Sequence, residues 1–460
     1  MHSGDTFNES GNDPRKRLLA LMTASYYNDP YLMTMAESDF FNNYGDFDCI
    51  FEILFKEPNA EKRPINELPL TKYFPSPMGE MIARTGWNMG IDSNDAIVQM
   101  RIGEYFFGNH QCKDFGIFQI YYRGALAISS GVYDVYGNEH WKNYLHQTIS
   151  KNGLLIFDPD EKMGKGSVND GGQRWVEGSD HPKDLEILLT KDYKMGQVIA
   201  YEFGPDKLIP EYSYISGDIT NAYSPNKVDK VTRSMVTFNT QNEKYPSIFV
   251  VMDRVRSKKP TFKKTWLLHS IQEPEIENKT ITVIRDGKAH NGKYSGKLIV
   301  KSLMPEKSEI RKIGGKDKEF WIESVQKNYP AHKEGITEGG AWRVEVSPLQ
   351  DNEYDIFLHV MSVMDIKTKD IPEVVKIEQD NLIGAKVLNY AVLFSKDGNP
   401  VDSAKINING GFKILICDLK SGVWSISHND LNIGEFKVSD DGKCIYFEGK
   451  EGVYKLVKKS

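Results

Sequence analysis

Residues 106–133 read FFGNHQCKDFGIFQIYYRGALAISSGVY, with His110, Cys112 and Asp114 on alternate positions between aromatic runs. On a β-strand alternate residues share a face. A His, a Cys and an Asp on one face make a metal-like donor set. No second His/Cys pair completes it, since His140 and His146 stand at spacings that match no metal motif. The plainer account is a strand-rich segment filled by its Phe, Ile and Tyr side chains. Either way the stretch belongs to a β-sheet domain.

The same texture continues on both sides. AIVQMRIGEYFF (96–107), QVIAYEFG (197–204), KVTRSMVTFN (230–239), SIFVVMDRVRS (247–257), KKTWLLHS (263–270), AWRVEVSP (341–348) and YDIFLHVMSV (354–363) are short runs rich in β-branched and aromatic residues. Gly, Pro, Asn and Asp separate them. They predict a large antiparallel, two-layer β domain over 76–370. Ahead of it, RKRLLALMTASYY (15–27), DPYLMTMAES (29–38) and DFDCIFEILF (46–55) read as helices. Asp13 would cap the first, with Pro14 at its first helical position. Helices this few and short cannot close a domain alone. DIPEVVKIEQDNLI (370–383) reads as a linker into a small β module that fills 371–460. There Asp397-Gly398 and Asp441-Gly442 are expected hairpin turns.

Composition narrows the function classes. Apolar residues are 40% of the chain and charged ones 27%, which suits a packed globular core. Lys and Arg number 58 against 64 Asp and Glu, a net charge of −6, so a general nucleic-acid binder is excluded. Cys49, Cys112, Cys417 and Cys444 show no CxxC spacing and no disulfide framework. No run of about 20 apolar residues predicts a membrane span. The opening residues lack a basic-then-apolar signal pattern.

Two further features carry candidate chemistry. RVRSKKPTFKK (254–264) is a dense basic run. It reads either as a solvated strand and turn or as a grip on an anionic polymer, because guanidinium forks bind carboxylate and sulfate groups in pairs of bonds. Tyr121, Tyr122, Tyr133 and Tyr136 lie in or beside the opening stretch, and a tyrosine moves protons when a neighbour lowers its pKa. Strand tyrosines and tryptophans ordinarily fill a core. No phosphate loop or nucleophile elbow is present.

SPMGEMIARTGW (76–87), GNHQCKDFGIFQIYYRGALAISSGVY (108–133), VVMDRVRSKKPTFKKTWLLHS (250–270) and GGAWRVEVSP (339–348) resemble the heparinase II/III-like family, and heparinase II within it. SGDTFNE (3–9) and ASYYNDPYL (24–32) extend the resemblance over nearly the whole chain. These are polysaccharide lyases that cleave uronic-acid-containing glycosaminoglycans such as heparin and heparan sulfate. The resemblance implies a mainly β fold: a large two-layer, sandwich-like antiparallel domain and a small C-terminal β domain. Residues 1–75 would be the remnant of a helical α/α toroid. The front of that toroid would be missing, as in an N-terminally truncated lyase, so the activity of this chain alone is expected to be impaired.

The implied reaction is β-elimination, in which a base removes the uronate C5 proton and an acid protonates the leaving oxygen. His110 matches the family's β-domain histidine, with Asn109 beside it. Tyr133, Arg254 and Arg256 are the further expected substrate contacts. The toroid's catalytic partners would lie upstream of Met1. The alternative is a non-catalytic carbohydrate-binding protein that uses the same wall. Heparinase II also holds a structural zinc, with a motif His-Gln-His-x-Asp-Ala-Gly that here reads His110-Gln111-Cys112-Lys113-Asp114-Phe115-Gly116. The zinc positions fall on Cys112, Ser129 and Lys151, so no family-type zinc and no other cofactor is expected, with Lys151 supplying the lost positive charge. The implied partner is an anionic polysaccharide in the periplasm or cell envelope, with no nucleic acid and no membrane span. Open apolar surface on the helices predicts aggregation or a homodimer.

Overall fold

The computed structural model describes residues 14–37, 49–108, 110–133, 135–289, 292–332 and 339–459. Asp13, Asn109 and the stretch SGDTFNE lie outside the described residues. Three helices come first, α1 (Pro14–Tyr27), α2 (Pro30–Glu37) and α3 (Cys49–Phe55). Asp29 starts α2: its Oδ1 accepts from Tyr31 N at 2.9 Å and Leu32 N at 3.0 Å, and Pro30 presets the first helical φ. Leu21, Ala24, Met33 and Ala36 form the small core between α1 and α2.

Strands then take over. β1 (Thr71–Phe74), β2 (Glu80–Arg84), β3 (Ile97–Arg101), β4 (Ile117–Tyr121) and β5 (Ala125–Ala127) make an antiparallel meander. Next in the chain are β6 (Leu154–Phe157), β7 (Gln197–Gly204), β8 (Tyr212–Asp218), β9 (Val228–Asn239), β10 (Ser247–Ser257) and β11 (Lys263–Ser270). They are followed by β12 (Glu275–Glu277), β13 (Thr280–Ala289), β14 (Gly292–Met304) and β15 (Ser308–Gly314). A short pair, β16 (Trp321–Ile322) and β17 (Lys327–Asn328), precedes β18 (Trp342–Pro348) and β19 (Tyr354–Asp365). The long strands build one eight-stranded sheet in the order β12-β13-β14-β19-β10-β9-β8-β7. A four-stranded sheet, β15-β18-β11-β6, lies beside the meander.

The period-two rule sorts these sheets into layers. Along β10, Phe249, Val251 and Val255 join a core with Met100 and Phe118 of the meander and Trp266 and Val344 of the four-stranded sheet. The intervening residues Ile248, Val250 and Met252 join a second core with Ile383, Val392 and Phe394 of the C-terminal domain. The central strands β9, β10 and β19 of this sheet are therefore buried on both faces. Each large apolar side chain so enclosed contributes about 1.5–3 kcal/mol.

The C-terminal domain is a sandwich of its own. Its strands are β20 (Val374–Gln379), β21 (Leu382–Val387), β22 (Tyr390–Ser395), β23 (Ser403–Ile408), β24 (Phe412–Ile416), β25 (Gly422–His428), β26 (Leu431–Val438), β27 (Ile445–Gly449) and β28 (Gly452–Lys458). They form the sheets β20-β21-β22-β24-β27 and β23-β28-β25-β26, around Ile406, Ile414, Trp424 and Leu456. Two expectations are corrected here. The segment 370–383 is not a bare linker, because Val374–Gln379 is a strand paired to β21. Asp397-Gly398 and Asp441-Gly442 turn the chain, but they join β22 to β23 and β26 to β27, which belong to different sheets. A turn residue sets the reversal, while the next strand goes to whichever sheet buries its apolar side.

Candidate functional site

The loop from β3 to β4 carries His110. The segment is not a strand, so the shared face that would make His110, Cys112 and Asp114 a metal-like set does not form. His110 is exposed at the loop tip, whereas Cys112 and Asp114 are 0% and 2% exposed. Asp114 turns back toward Arg101 at 3.5 Å.

The loop is braced along its length. Phe106 N donates to Tyr193 O at 2.8 Å. Gln111 closes the tip, accepting from Phe107 N at 2.7 Å and donating to Tyr105 O at 3.1 Å. Lys113 N donates to His146 O at 2.9 Å. Gln173 clamps Phe115 with its side-chain amide, accepting from Phe115 N at 3.1 Å and donating to Phe115 O at 2.6 Å. Gly108 is required where it stands: its φ is +92°, and a Cβ there would lie 1.6 Å from the Asp180 carbonyl oxygen.

Aromatic rings lead inward from His110. The Tyr133 and Tyr136 rings both meet the His110 ring edge-on, with centroids at 5.8 Å. Tyr136 contacts Trp141 at 4.7 Å, Trp141 contacts His146 at 4.0 Å, and His146 stacks on Trp175 at 5.9 Å. Lys113 ends the series, its Nζ 3.5 Å from the Trp175 ring centroid and 4.1 Å from that of Phe106. Burial pushes the Lys113 amine down to about 7, against the attraction of Asp180 and Cys112. Burial, then Lys113 and Lys151, hold His146 well below the ordinary imidazole range.

Beneath the loop sits an ion pair that the sequence reading missed. Arg233 on β9 faces Asp253 directly across the ladder from β10. Its Nε and Nη2 reach the two Asp253 oxygens at 2.5 and 2.8 Å, and both residues are fully buried. Arg233 Nη1 also donates to Asn152 O at 2.8 Å and to Gly116 O. One guanidinium thus fixes the end of the His110 loop and the turn after Lys151. The available signal was opposite charges at core-facing positions of two adjacent strands.

The basic run takes a different place. Arg254 points to the face of the eight-stranded sheet that the C-terminal domain covers. It is 3% exposed, donates to Ser395 O at 2.8 and 2.6 Å, and pairs with Asp418 at 2.5 Å. Arg256 lies over the Tyr354 ring at 4.9 Å on the same side. Lys264 pairs with Asp355 at 3.0 Å, and Lys258 with Asp229. Arg254 and Arg256, expected as substrate contacts, thus lie on the face of the sheet opposite the core that carries the His110 loop, Arg254 buried and Arg256 exposed. The structure does bring Tyr133 to His110, and it places Tyr136 there as well.

Ser129 and Lys151 meet: Lys151 Nζ donates to Ser129 Oγ at 2.7 Å, and both residues are buried.

Two family profiles match the chain, "Heparinase II/III-like, C-terminal" over residues 75–339 and "Heparinase II C-terminal domain" over 376–458. No curated protein matches it by sequence. Among solved structures, heparan sulfate lyase HepC from Pedobacter heparinus is similar, with a TM-score of 0.49 and 16% identity, over 84% of this chain and 48% of that one. A heparinase III, the BT4657 gene product, gives 0.47 and 14%, over 84% and 49%. A further heparinase III gives 0.44 and 12%, over 73% and 43%. The chain spans about half the length of the solved structures it matches.

Proposed function

Because the chain belongs to the heparinase II/III-like family, whose profile covers residues 75–339 of its 460, we propose that it supplies the β-domain wall of a polysaccharide lyase. The substrate class is uronic-acid-containing glycosaminoglycan of the heparin and heparan sulfate kind. The reaction is β-elimination. The C5–H bond of the uronate breaks, its electron pair forms the C4=C5 double bond, and the C4–O bond releases an oxygen that takes up a proton. An imidazole both accepts and donates protons through its ring nitrogens, and His110 is our choice for one of these transfers. The observation that carries the reading is an exposed histidine on a braced loop, edge-on to two tyrosine rings. Tyr133 and Tyr136 are positioned to bound the sugar beside it. We place this work in the periplasm or cell envelope. Among the described residues no helix is long and apolar enough to cross a membrane.

The test is an ultraviolet assay for unsaturated uronate with heparin, heparan sulfate and chondroitin sulfate. The protein is expected to form product slowly, and His110→Ala to lose about 100-fold or more of that rate, the usual worth of a positioned acid or base. Retention on a heparin column should stay the same in that variant. A second reading is favoured by the half-length match: a carbohydrate binder whose remaining catalytic groups lie elsewhere. Heparin retention without any product from the unaltered protein would select it.

A further inference from the structure

Ser129 follows β5, and Lys151 follows the turn at 148–150, so their side chains join the loop after β5 to the loop that leads into β6. The bond is enclosed, with Lys151 1% and Ser129 8% exposed. Beside it Ser130 N donates to Ser150 O at 2.8 Å, tying the same loops through the backbone. Lys151, Ser129 and the buried thiol of Cys112 occupy the three positions where the family resemblance implies a zinc ion. They do not fit one. Only the thiol is a good zinc donor. The hydroxyl is a poor ligand and already accepts a hydrogen bond from an amine, and that amine is itself a cation. A second lysine, Lys113, next in the chain to Cys112, is also fully buried. A divalent ion entering here would meet an ammonium bonded to one of its own intended ligands.

We infer that the Lys151 ammonium is the permanent cation of this site, holding the loops together in place of a metal, and that the protein takes up no zinc there. The position of the site rests on the family resemblance. Its test is separate from lyase activity, so failure of one leaves the other standing.

The protein would be produced in zinc-supplemented medium, purified without chelator, and assayed for zinc by plasma mass spectrometry and for Tm with and without chelator. The expected result is under about 0.1 zinc per chain and an unchanged Tm. Lys151→Met is expected to lower Tm by about 5 °C. If that variant does not fold, Ser129→Ala removes only the acceptor and should give a smaller drop of the same sign. Ser129→Asp combined with Lys151→His rebuilds a Cys, Asp and His donor set, and should take up about one zinc per chain and become chelator-sensitive. Near-stoichiometric zinc in the unaltered protein would overturn the inference. So would a Lys151→Met protein as stable as its parent, or a folded double variant that stays zinc-free.

Discussion

Lys113 holds its amine between the rings of Phe106 and Trp175, with no hydrogen-bond partner among the described residues. Its depressed pKa of about 7 makes stability depend on pH in a definite direction. Below pH 7 both the folded and the unfolded chain carry the charge, and the cost of burying it is felt in full. Between about 7 and the ordinary lysine value near 10.4, the unfolded chain keeps a proton that the fold has released, so stability rises with pH. The whole gain is roughly 5 kcal/mol at most, since each tenfold change in proton affinity is worth about 1.4 kcal/mol. Lys113→Met should therefore be more stable than its parent at neutral pH, and the gap should close as pH approaches 10. Urea midpoints of the two proteins across that range measure it, and a gap that stays constant would refute the buried cation. None of this was legible locally. In QCKDFG a lysine reads as a solvated charge, and its enclosure depends on Trp175, which the chain brings back from another loop. The exposure of His110 and the meeting with Tyr133 were closer to hand, because sequence neighbours and a family motif placed them together.

At the scale of loops and strands, alternation of apolar residues announced most of the strands, since pleating turns every second side chain to one face. The same period places Arg254 and Arg256 on one face of β10. It did not show which layer covers that face, because both faces of β10 are apolar and the pattern is the same for either. The hairpin signals failed for a related reason: a tight turn does not choose the sheet of the following strand. The His110 loop depends on a contact of another kind, the close approach of Gly108 to the Asp180 carbonyl. Gly108→Ala must move one loop or the other and adopt a φ that alanine avoids. We expect it to fold with a Tm lowered by several degrees and to lose most of the His110-dependent rate. Equal uronate formation by Gly108→Ala and its parent would mean the loop's position is not tied to this contact.

Over the whole molecule, the two profile matches at 75–339 and 376–458 correspond to regions that share a buried core rather than to free modules. Arg254 and Asp418 bridge the two parts, and Asp418 also accepts from Ser395 N at 3.1 Å. Removing one member of a buried pair leaves the other uncompensated, so Arg254→Met should cost about 3–5 kcal/mol. Denaturant unfolding of the variant would record it, and a loss below about 1 kcal/mol would show that apolar contact alone joins the domains. The sheet that both parts cover has a consequence in isotopic labelling. Central strands β9 and β10 have a neighbouring strand on each edge and a dry layer over each face, so no local opening brings water to their amides. In deuterated buffer those amides should be the last in the chain to take up label, and they should do so only when the whole fold opens.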